Sequence, residues 1–337
     1  MNKLLTVIVP AYNVQNYIDR CLSTICNRQL EQELEVIVVN DGSTDNTQKI
    51  IELYKEKFPK IIKIINKING GHGSAINIGI EHATGKYTKI IDADDFVNSN
   101  NFTILVKKLR NISTDIVVTN YLQYYQFNHK IKRISKLKNN LRYNTKYHFK
   151  EIYNKYFMRM HEVLIKTEIF KKNPIKLEEN CFYVDQEYIL YPIPYLETIL
   201  FLDLDIYYYR LGRQEQSMNL SRMRLHVQEH LLVLNKLLDF YRSLVNKNIG
   251  FEYLYYIERG ISYMLGSQIK IYLSFPTSKQ YKKVIKNFDQ NILLQYPNIY
   301  YKTQNKYIWL LRISNYKIYY LGSFLLYLKE KLWRNKE

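Results

Sequence analysis

The chain has 337 residues with 47% hydrophobic and 24% charged positions, enough for a sizeable core and too apolar for a disordered chain. A formal net charge of +18 points to an anionic partner: nucleic acid, a phosphate-bearing substrate or an acidic membrane surface. Three cysteines, Cys21, Cys26 and Cys181, without CxxC spacing, argue against a disulfide framework or a zinc site and fit a reducing cytosol.

Leu4–Pro10 is a nearly continuous apolar run of strand length, and Tyr17–Ile25 has helical spacing. Leu34–Asn40 reads as a second strand. Thr44–Phe58 reads as a helix begun by capping at Ser43 or Thr44. Ile61–Ile65 is a third strand, Gly73–Ala83 a helix closed by Gly85, and Tyr87–Ile91 a fourth strand. After a further helix, Asp115–Tyr121 is the fifth. Strand and helix alternating at this spacing, with apolar rather than alternating strands, predicts an α/β fold with a mainly parallel sheet covered on both faces.

Past residue 125 the pattern weakens. Lys130–Lys138 reads as a loop or solvated hairpin, residues 148–172 as helical, and Ile206–Arg210 as a short aromatic strand. Helical patterns then dominate at Leu225–Leu244, Tyr253–Tyr272, Lys279–Phe288 and from Tyr307 onward. The expected division is 1–220 and a mostly helical 221–337. The N-terminus lacks a signal-peptide pattern, and no run of about 18 apolar residues is long enough to span a bilayer.

In an open α/β sheet, ligands bind beyond the carboxyl ends of the strands. Three polar clusters sit there: Pro10-Ala11-Tyr12-Asn13, Asp41-Gly42-Ser43-Thr44-Asp45 and Asp92-Ala93-Asp94-Asp95. Carboxylates this close repel one another unless a cation joins them, and a hard divalent ion prefers oxygen ligands and bridges a diphosphate. A solvated, capping turn is the plainer alternative for the acidic cluster. Asp41 can accept from a uracil imide or a ribose hydroxyl, and Tyr12 can stack on a base. Gly71-His72-Gly73, with Asp92 about twenty residues on, resembles part of a dinucleotide fingerprint, but Ile76 stands where a small residue is required. The glycines then serve close backbone approach to a ligand, or a turn.

Val7–Asn13, Asp41–Asp45, Asn69–Gly85 and Asp92–Asp95, in this order and spacing, resemble a bacterial family 2 glycosyltransferase with the GT-A fold over roughly the first 100 residues. The resemblance implies that Asp41 contacts the donor's nucleoside. It also implies that Asp92 and Asp94 engage ribose and a metal-bound diphosphate, with Asp94 the metal ligand and Mn2+ or Mg2+ the ion. The segment with Asn69, Gly71 and His72 would line the donor site. Relatives often carry Arg where this chain has Ile76, so that phosphate or sugar contact is either absent or supplied by His72 or Lys67. Asp95 stays open between support of its neighbours and helix capping.

The resemblance asks for a base, and Asp185 in Phe182–Tyr188 aligns with it, Glu187 being the alternative and a helix cap the structural one. A carboxylate there would accept the proton of an attacking acceptor hydroxyl, inverting the anomeric configuration. Arg210, Arg213, Gln216 and Ser217 resemble a mobile segment that closes over the donor diphosphate. His226 and His230, at i, i+4, read as surface histidines or as a supplement to the metal site.

The expected partners are a nucleotide-sugar donor, most simply a UDP-sugar, and a saccharide or lipid-linked acceptor in a surface polysaccharide, teichoic-type polymer or glycolipid. The basic, aromatic tail, with Trp333 between Lys331 and Arg334, suits an interfacial helix on the inner face of an anionic membrane, ordinary helix packing, or a homo-oligomer contact. Nucleic-acid binding is the runner-up reading, which the charge of +18 permits, but no RNA- or DNA-binding module is recognisable and the acidic cluster carries the wrong charge, so nucleic acid is not an expected partner.

Overall fold

The structure, a computed structural model, describes residues 3–334 except 135, 136, 138, 213–218, 276 and 304, with side chains omitted at 329, 330 and 332–334. The chain divides into two compact units, Met1–Arg213 and Gln214–Glu337.

The first unit is built on β1 Leu5–Ala11, β2 Leu34–Asn40, β3 Ile62–Asn66, β4 Tyr87–Ile90, β5 Phe96–Val97, β6 Ile116–Tyr125, β7 Ile131–Arg133, β8 Lys146–His148, β9 Val163–Lys166 and β10 Thr198–Leu211. Its helices are α1 Ile18–Ile25, α2 Thr47–Lys57, α3 Gly71–His82, α4 Ser99–Lys108, α5 Phe149–Ile152, α6 Thr167–Lys172 and α7 Asp185–Leu190. The sheet runs β3-β2-β1-β4-β9-β6-β10-β5, with β7 beside β6 and β8 beside β10. β3, β2, β1 and β4 pair in parallel, as do β6 and β10. Val7, Ile8 and Val9 of β1 and Val36 to Val39 of β2 are wholly buried. Burying each such side chain contributes roughly 1.5–3 kcal/mol, which is why these strands read as unbroken apolar runs.

Two features depart from the sequence pattern. Residues 148–172 are not one helical stretch. They contain β9, which runs antiparallel between β4 and β6 at the centre of the sheet. Val163-Leu164-Ile165 is too short a run to show a period, and the flanking α5 and α6 are real short helices. The strand expected at Ile206–Arg210 begins eight residues earlier, at Thr198. Its register against β6 shifts between Phe201 and Tyr207, where Asp203 and Asp205 break the apolar run and pair with Arg133.

The second unit comprises α8 Leu220–Leu225, α9 Val227–Asn246, α10 Phe251–Ser274, α11 Lys279–Gln295, α12 Pro297–Lys302, α13 Lys306–Ile313 and α14 Tyr319–Arg334. Along α9, His230, Val233, Leu234, Leu237, Leu238, Tyr241 and Leu244 are buried at helical spacing. Buried charges are partnered: Glu258 takes Tyr241, Asn298 and Lys302, while Asp289 holds the Arg312 guanidinium at 2.7 and 2.8 Å. Among the described residues, no helix is long and apolar enough to cross a membrane.

Candidate active site at the carboxyl ends of β1, β2 and β4

The turns after β1 and β2 are laced together. Asn13 sits at φ 50°, and its Oδ1 accepts the Thr44 N–H at 2.8 Å while its own N–H donates to Ser43 Oγ at 3.1 Å. Ser43 and Thr44 are thus spent on Asn13. α2 begins only at Thr47, whose N–H is met by Asp45 Oδ1 at 2.9 Å, which corrects the expected helix start. Pro10 and Ala11 close β1, and beyond them Tyr12 is 50% exposed, with its ring open at the sheet's carboxyl edge.

Asp41, at the end of β2, is buried. Its Oδ1 accepts Lys67 Nζ at 2.6 Å and Gly70 N at 3.0 Å, and its Oδ2 accepts Gly71 N at 2.8 Å. It therefore fixes the turn containing Asn69 and the start of α3. Two carboxylate oxygens offer about four acceptor sites, so three donors leave room for one more. Lys67 is committed to Asp41 and to the Ile68 carbonyl. Ile76, where relatives carry Arg, is fully buried core.

The acidic turn is clamped from behind by β10. The Tyr207 hydroxyl lies 2.6 Å from Asp95 Oδ2 and 3.2 Å from Asp92 Oδ2. Asp95 Oδ1 accepts the Arg210 backbone N–H at 2.7 Å. Burial raises the Asp95 pKa well above the usual carboxylate range, with the Asp92 charge adding to it and the Tyr207 and Arg210 hydrogen bonds opposing. Asp95 is thus a buried brace. α4 is capped by Asn98, which takes the Asn101 N–H, so the capping alternative for Asp95 falls away. Arg210 also differs from expectation. It is buried at the end of β10, its Nε donates to the Asp94 carbonyl at 2.7 Å, and its guanidinium lies 5.1 Å from the Tyr17 ring centroid. It holds the Ala93-Asp94 backbone rather than riding on a loop. Arg213, Gln216 and Ser217 lie outside the described residues.

α3 delivers the second carboxylate. Asn180 N donates to the Gly70 carbonyl at 2.6 Å, and Asn77 bonds both the carbonyl and the N–H of Leu177 at 2.9 Å. A Cβ on Gly73 would stand 2.0 Å from the Glu178 carbonyl oxygen, and Gly71 has φ 82°. The glycines therefore serve close approach of the chain's own backbone. This docking leads into α7, whose first residue is Asp185. His72 Nε2 lies 3.6 Å from Asp92 Oδ1 and 3.9 Å from Asp185 Oδ1, so the imidazole stands at both carboxylates. The Asp185 side chain is 48% exposed, yet its pKa is raised: crowding by the surrounding protein is the largest cause, His72 opposes it, and the Asp92 charge adds to it. Glu187, the alternative base, is fully buried and takes the Glu178 N–H at 2.8 Å and the Tyr191 hydroxyl at 3.0 Å.

Sequence reasoning missed the layer beneath. Lys89 is fully buried, donates to the His161 carbonyl at 2.8 Å, and burial lowers its pKa to about 7. The His161 ring packs on Tyr121, Tyr207 and Tyr209, and burial lowers its pKa to about 4. The only signal was Lys89 itself, a charged residue at the centre of the strand-like Tyr87–Ile91. In the second unit, His226 pairs with Glu229 at 2.7 Å, while His230 is a core residue bonded to Gln268 at 2.7 Å, not a surface histidine.

Asp92, Asp95 and His161 bring ligand atoms within 4.8 Å of one another. Both Asp95 oxygens are taken, whereas Asp92 Oδ1 is buried with no hydrogen-bond partner. His161 Nδ1 is likewise buried without a hydrogen-bond partner, so an orphaned carboxylate oxygen beside a neutral imidazole is a donor set that fits a divalent cation, with Asp94 two residues on in the same turn.

The chain was compared with known proteins. "Glycosyltransferase GlyA" of Streptococcus pneumoniae serotype 4 is 39% identical over 124 residues, which cover 37% of this chain and 17% of that protein. "Glycosyltransferase GlyG" of the same organism is 35% identical over 124 residues, 37% of this chain and 41% of that protein. The teichoic acid poly(glycerol phosphate) polymerase of Staphylococcus epidermidis is 29% identical over 214 residues, 62% of this chain and 28% of that protein. The chain thus spans less than half the length of these relatives. S. aureus TarS 1–349 shares the fold with a TM-score of 0.54 at 21% identity, over 99% of this chain and 92% of that one. A Pyrobaculum calidifontis mannosyltransferase, solved with GDP-Man and Mn2+, gives 0.52 at 15% identity, over 96% and 87%. Residues 6–173 match the family described as Glycosyl transferase family 2, a span running from β1 past α6 and including Asp41, His72 and the acidic turn, and the chain belongs to that family.

Proposed function

We propose that this chain transfers a sugar from a UDP-sugar to an acceptor hydroxyl with inversion, and that Asp185 is the base. The observation that carries the reading is His72 standing between Asp92 and Asp185, which puts a donor-side carboxylate and a carboxylate of raised proton affinity at one cleft. Tyr12 stacks on the base, and Asp41 uses its remaining acceptor site for the nucleoside. Asp92 and Asp94 would hold a divalent cation, Mn2+ or Mg2+. When bound, the cation neutralises charge on the departing nucleoside diphosphate.

In the transfer, the acceptor oxygen forms its bond to the anomeric carbon on the face opposite the diphosphate. The bond from that carbon to the diphosphate oxygen breaks, its electron pair leaving with UDP, and Asp185 takes the acceptor proton. A raised pKa suits a carboxylate that must accept a proton near neutral pH. Relatives named for teichoic acid synthesis support a saccharide or polyol-phosphate acceptor of the cell surface, and a lipid-linked acceptor would place the protein at the inner face of a membrane.

A thermal-shift panel of UDP, GDP, CMP and NAD, each with and without Mn2+, tests the reading. A ligand at a hundredfold excess over its Kd stabilises by about 2.7 kcal/mol, so UDP with Mn2+ should raise the midpoint clearly. Asp94→Ala should remove the Mn2+-dependent part. Stabilisation by NAD alone, or a UDP response in Asp94→Ala equal to wild type, contradicts the assignment.

A further inference from the structure

α14 is apolar on two sides. Its inner side is used: Tyr319 and Ser323 are buried, and Ser323 Oγ meets Thr277 Oγ1 at 2.9 Å. Its outer side carries Tyr320, Leu321, Phe324 and Leu325 at i, i+1, i+4 and i+5, with Leu321 58% and Phe324 52% exposed. α13 repeats the arrangement. Ile308 and Leu311 face inward, while Trp309, Leu310 and Ile313 are exposed, Trp309 at 58%. A surface helix needs one apolar stripe to pack on its unit, so the second stripe on each is unexplained by folding.

The charge along this stretch of the chain is of one sign. Between Asp289 and Glu330 the sequence has no acidic residue but five basic ones, Lys302, Lys306, Arg312, Lys317 and Lys329. Arg312 and Lys302 are consumed by Asp289 and Glu258. Lys306 and Lys317 are exposed, and Lys282 of α11 lies 5.4 Å from the Tyr320 ring, at the margin of the outer stripe.

We infer that the outer faces of α13 and α14 dock on an anionic lipid bilayer, lying in the plane of the headgroups. Aliphatic side chains enter the acyl boundary, and Trp309 and Tyr320, each with an apolar body and a polar tip, sit at headgroup level. The lysine rim faces the lipid phosphates. At 16 residues α14 is about 24 Å long and borders on no spanning length, which fits a helix that lies on the surface. A second copy of this chain as occupant would press the same lysine rim against itself. The inference deepens the peripheral location proposed above and rests on that part of it, not on the transfer chemistry.

Flotation decides it, with vesicles of phosphatidylglycerol and phosphatidylcholine in equal parts against phosphatidylcholine alone. The expected result is flotation with the anionic vesicles, about tenfold weaker with the neutral ones and weakened by salt. Phe324→Gln with Leu325→Gln should lower binding by about tenfold, since two apolar side chains leave the lipid, with unchanged helical circular dichroism and an unchanged UDP-induced thermal shift. Lys306→Glu with Lys317→Glu, on exposed side chains, should abolish the preference for anionic vesicles and decides the matter if the glutamine pair does not fold. No flotation of wild type, equal flotation on neutral vesicles, or a dimer that the glutamine pair abolishes would overturn the inference. A missing UDP response in wild type that still floats would count against the transfer reading alone.

Discussion

Tyr207 and Asp95, 112 residues apart, meet through a buried hydroxyl at 2.6 Å, and that contact joins the last long strand of the sheet to the acidic turn. Because Asp95 also takes the Arg210 N–H, β10 holds the turn at two points three residues apart. The backbone carrying Asp92 and Asp94 is therefore set before any ligand arrives.

Tyr207→Phe tests the brace. It leaves one oxygen of a buried carboxyl without a partner, at a cost of roughly 1–3 kcal/mol. The expected outcome is a lower thermal midpoint and a weaker Mn2+-dependent UDP affinity. Calorimetric titration and thermal unfolding measure both, and unchanged values would mean that the turn stands without Tyr207.

Asp185→Asn should remove transfer while retaining UDP binding, and Glu187→Gln should instead lower stability, since its oxygens serve Glu178 and Tyr191. The opposite pattern in a coupled UDP-release assay would move the base to Glu187.

The pH profile follows from the same group. As the proposed base, Asp185 would work deprotonated, and its pKa is raised, so kcat/KM should fall with decreasing pH through a limb above the ordinary carboxylate value of about 3.9. His72 opposes the rise, so His72→Gln should move that limb to higher pH. A limb that stays in place in the variant would show that the imidazole does not act on Asp185.

Gly73→Ala puts a methyl where the Glu178 carbonyl stands, 2.0 Å away, and backbone must move. Overpacking of this kind costs roughly 1–3 kcal/mol. Since the displaced segment leads to Asp185, kcat should drop more than UDP affinity. Parallel steady-state kinetics and nucleotide titration separate the two effects.

Lys89 gives a stability signature. Its pKa falls from the ordinary 10.5 to about 7 in the fold, so its contribution is full above 10.5, is lost as pH falls towards about 7, and is flat below. Denaturant titrations should show wild type losing stability over that window relative to Lys89→Met. Parallel curves for the two proteins would mean that the amine is not held neutral.

The parallel half of the sheet was legible because burial on both faces leaves apolar runs that end in polar clusters: Leu34–Asn40 is β2 to the residue. β9 was not legible, because four residues hold no period and their position is set by non-local pairing with β4 and β6. The acidic turn announced itself by its charge density. The division of labour within it did not, since Asp95 differs from Asp92 only in what Tyr207 and Arg210 do across 112 and 115 residues of chain. Gly71 and Gly73 read from the sequence as allowing close approach to a ligand, or as a turn, whereas the approaching atoms belong to residues 177–181 of the chain itself, a partner that no local pattern announces.

That glycine seat has a bearing on how substrate preference can drift. On the proposed reading, the strand-end loops that would grip a nucleotide and the segment that presents Asp185 share one wall, α3, where Gly73 and Asn77 both meet residues 177–178. A change in α3 that widened that pocket would then drag Asp185, the proposed base, with it. New acceptors are reached more freely by altering residues 182–184, just past the seat and ahead of Asp185, than by remodelling the wall itself.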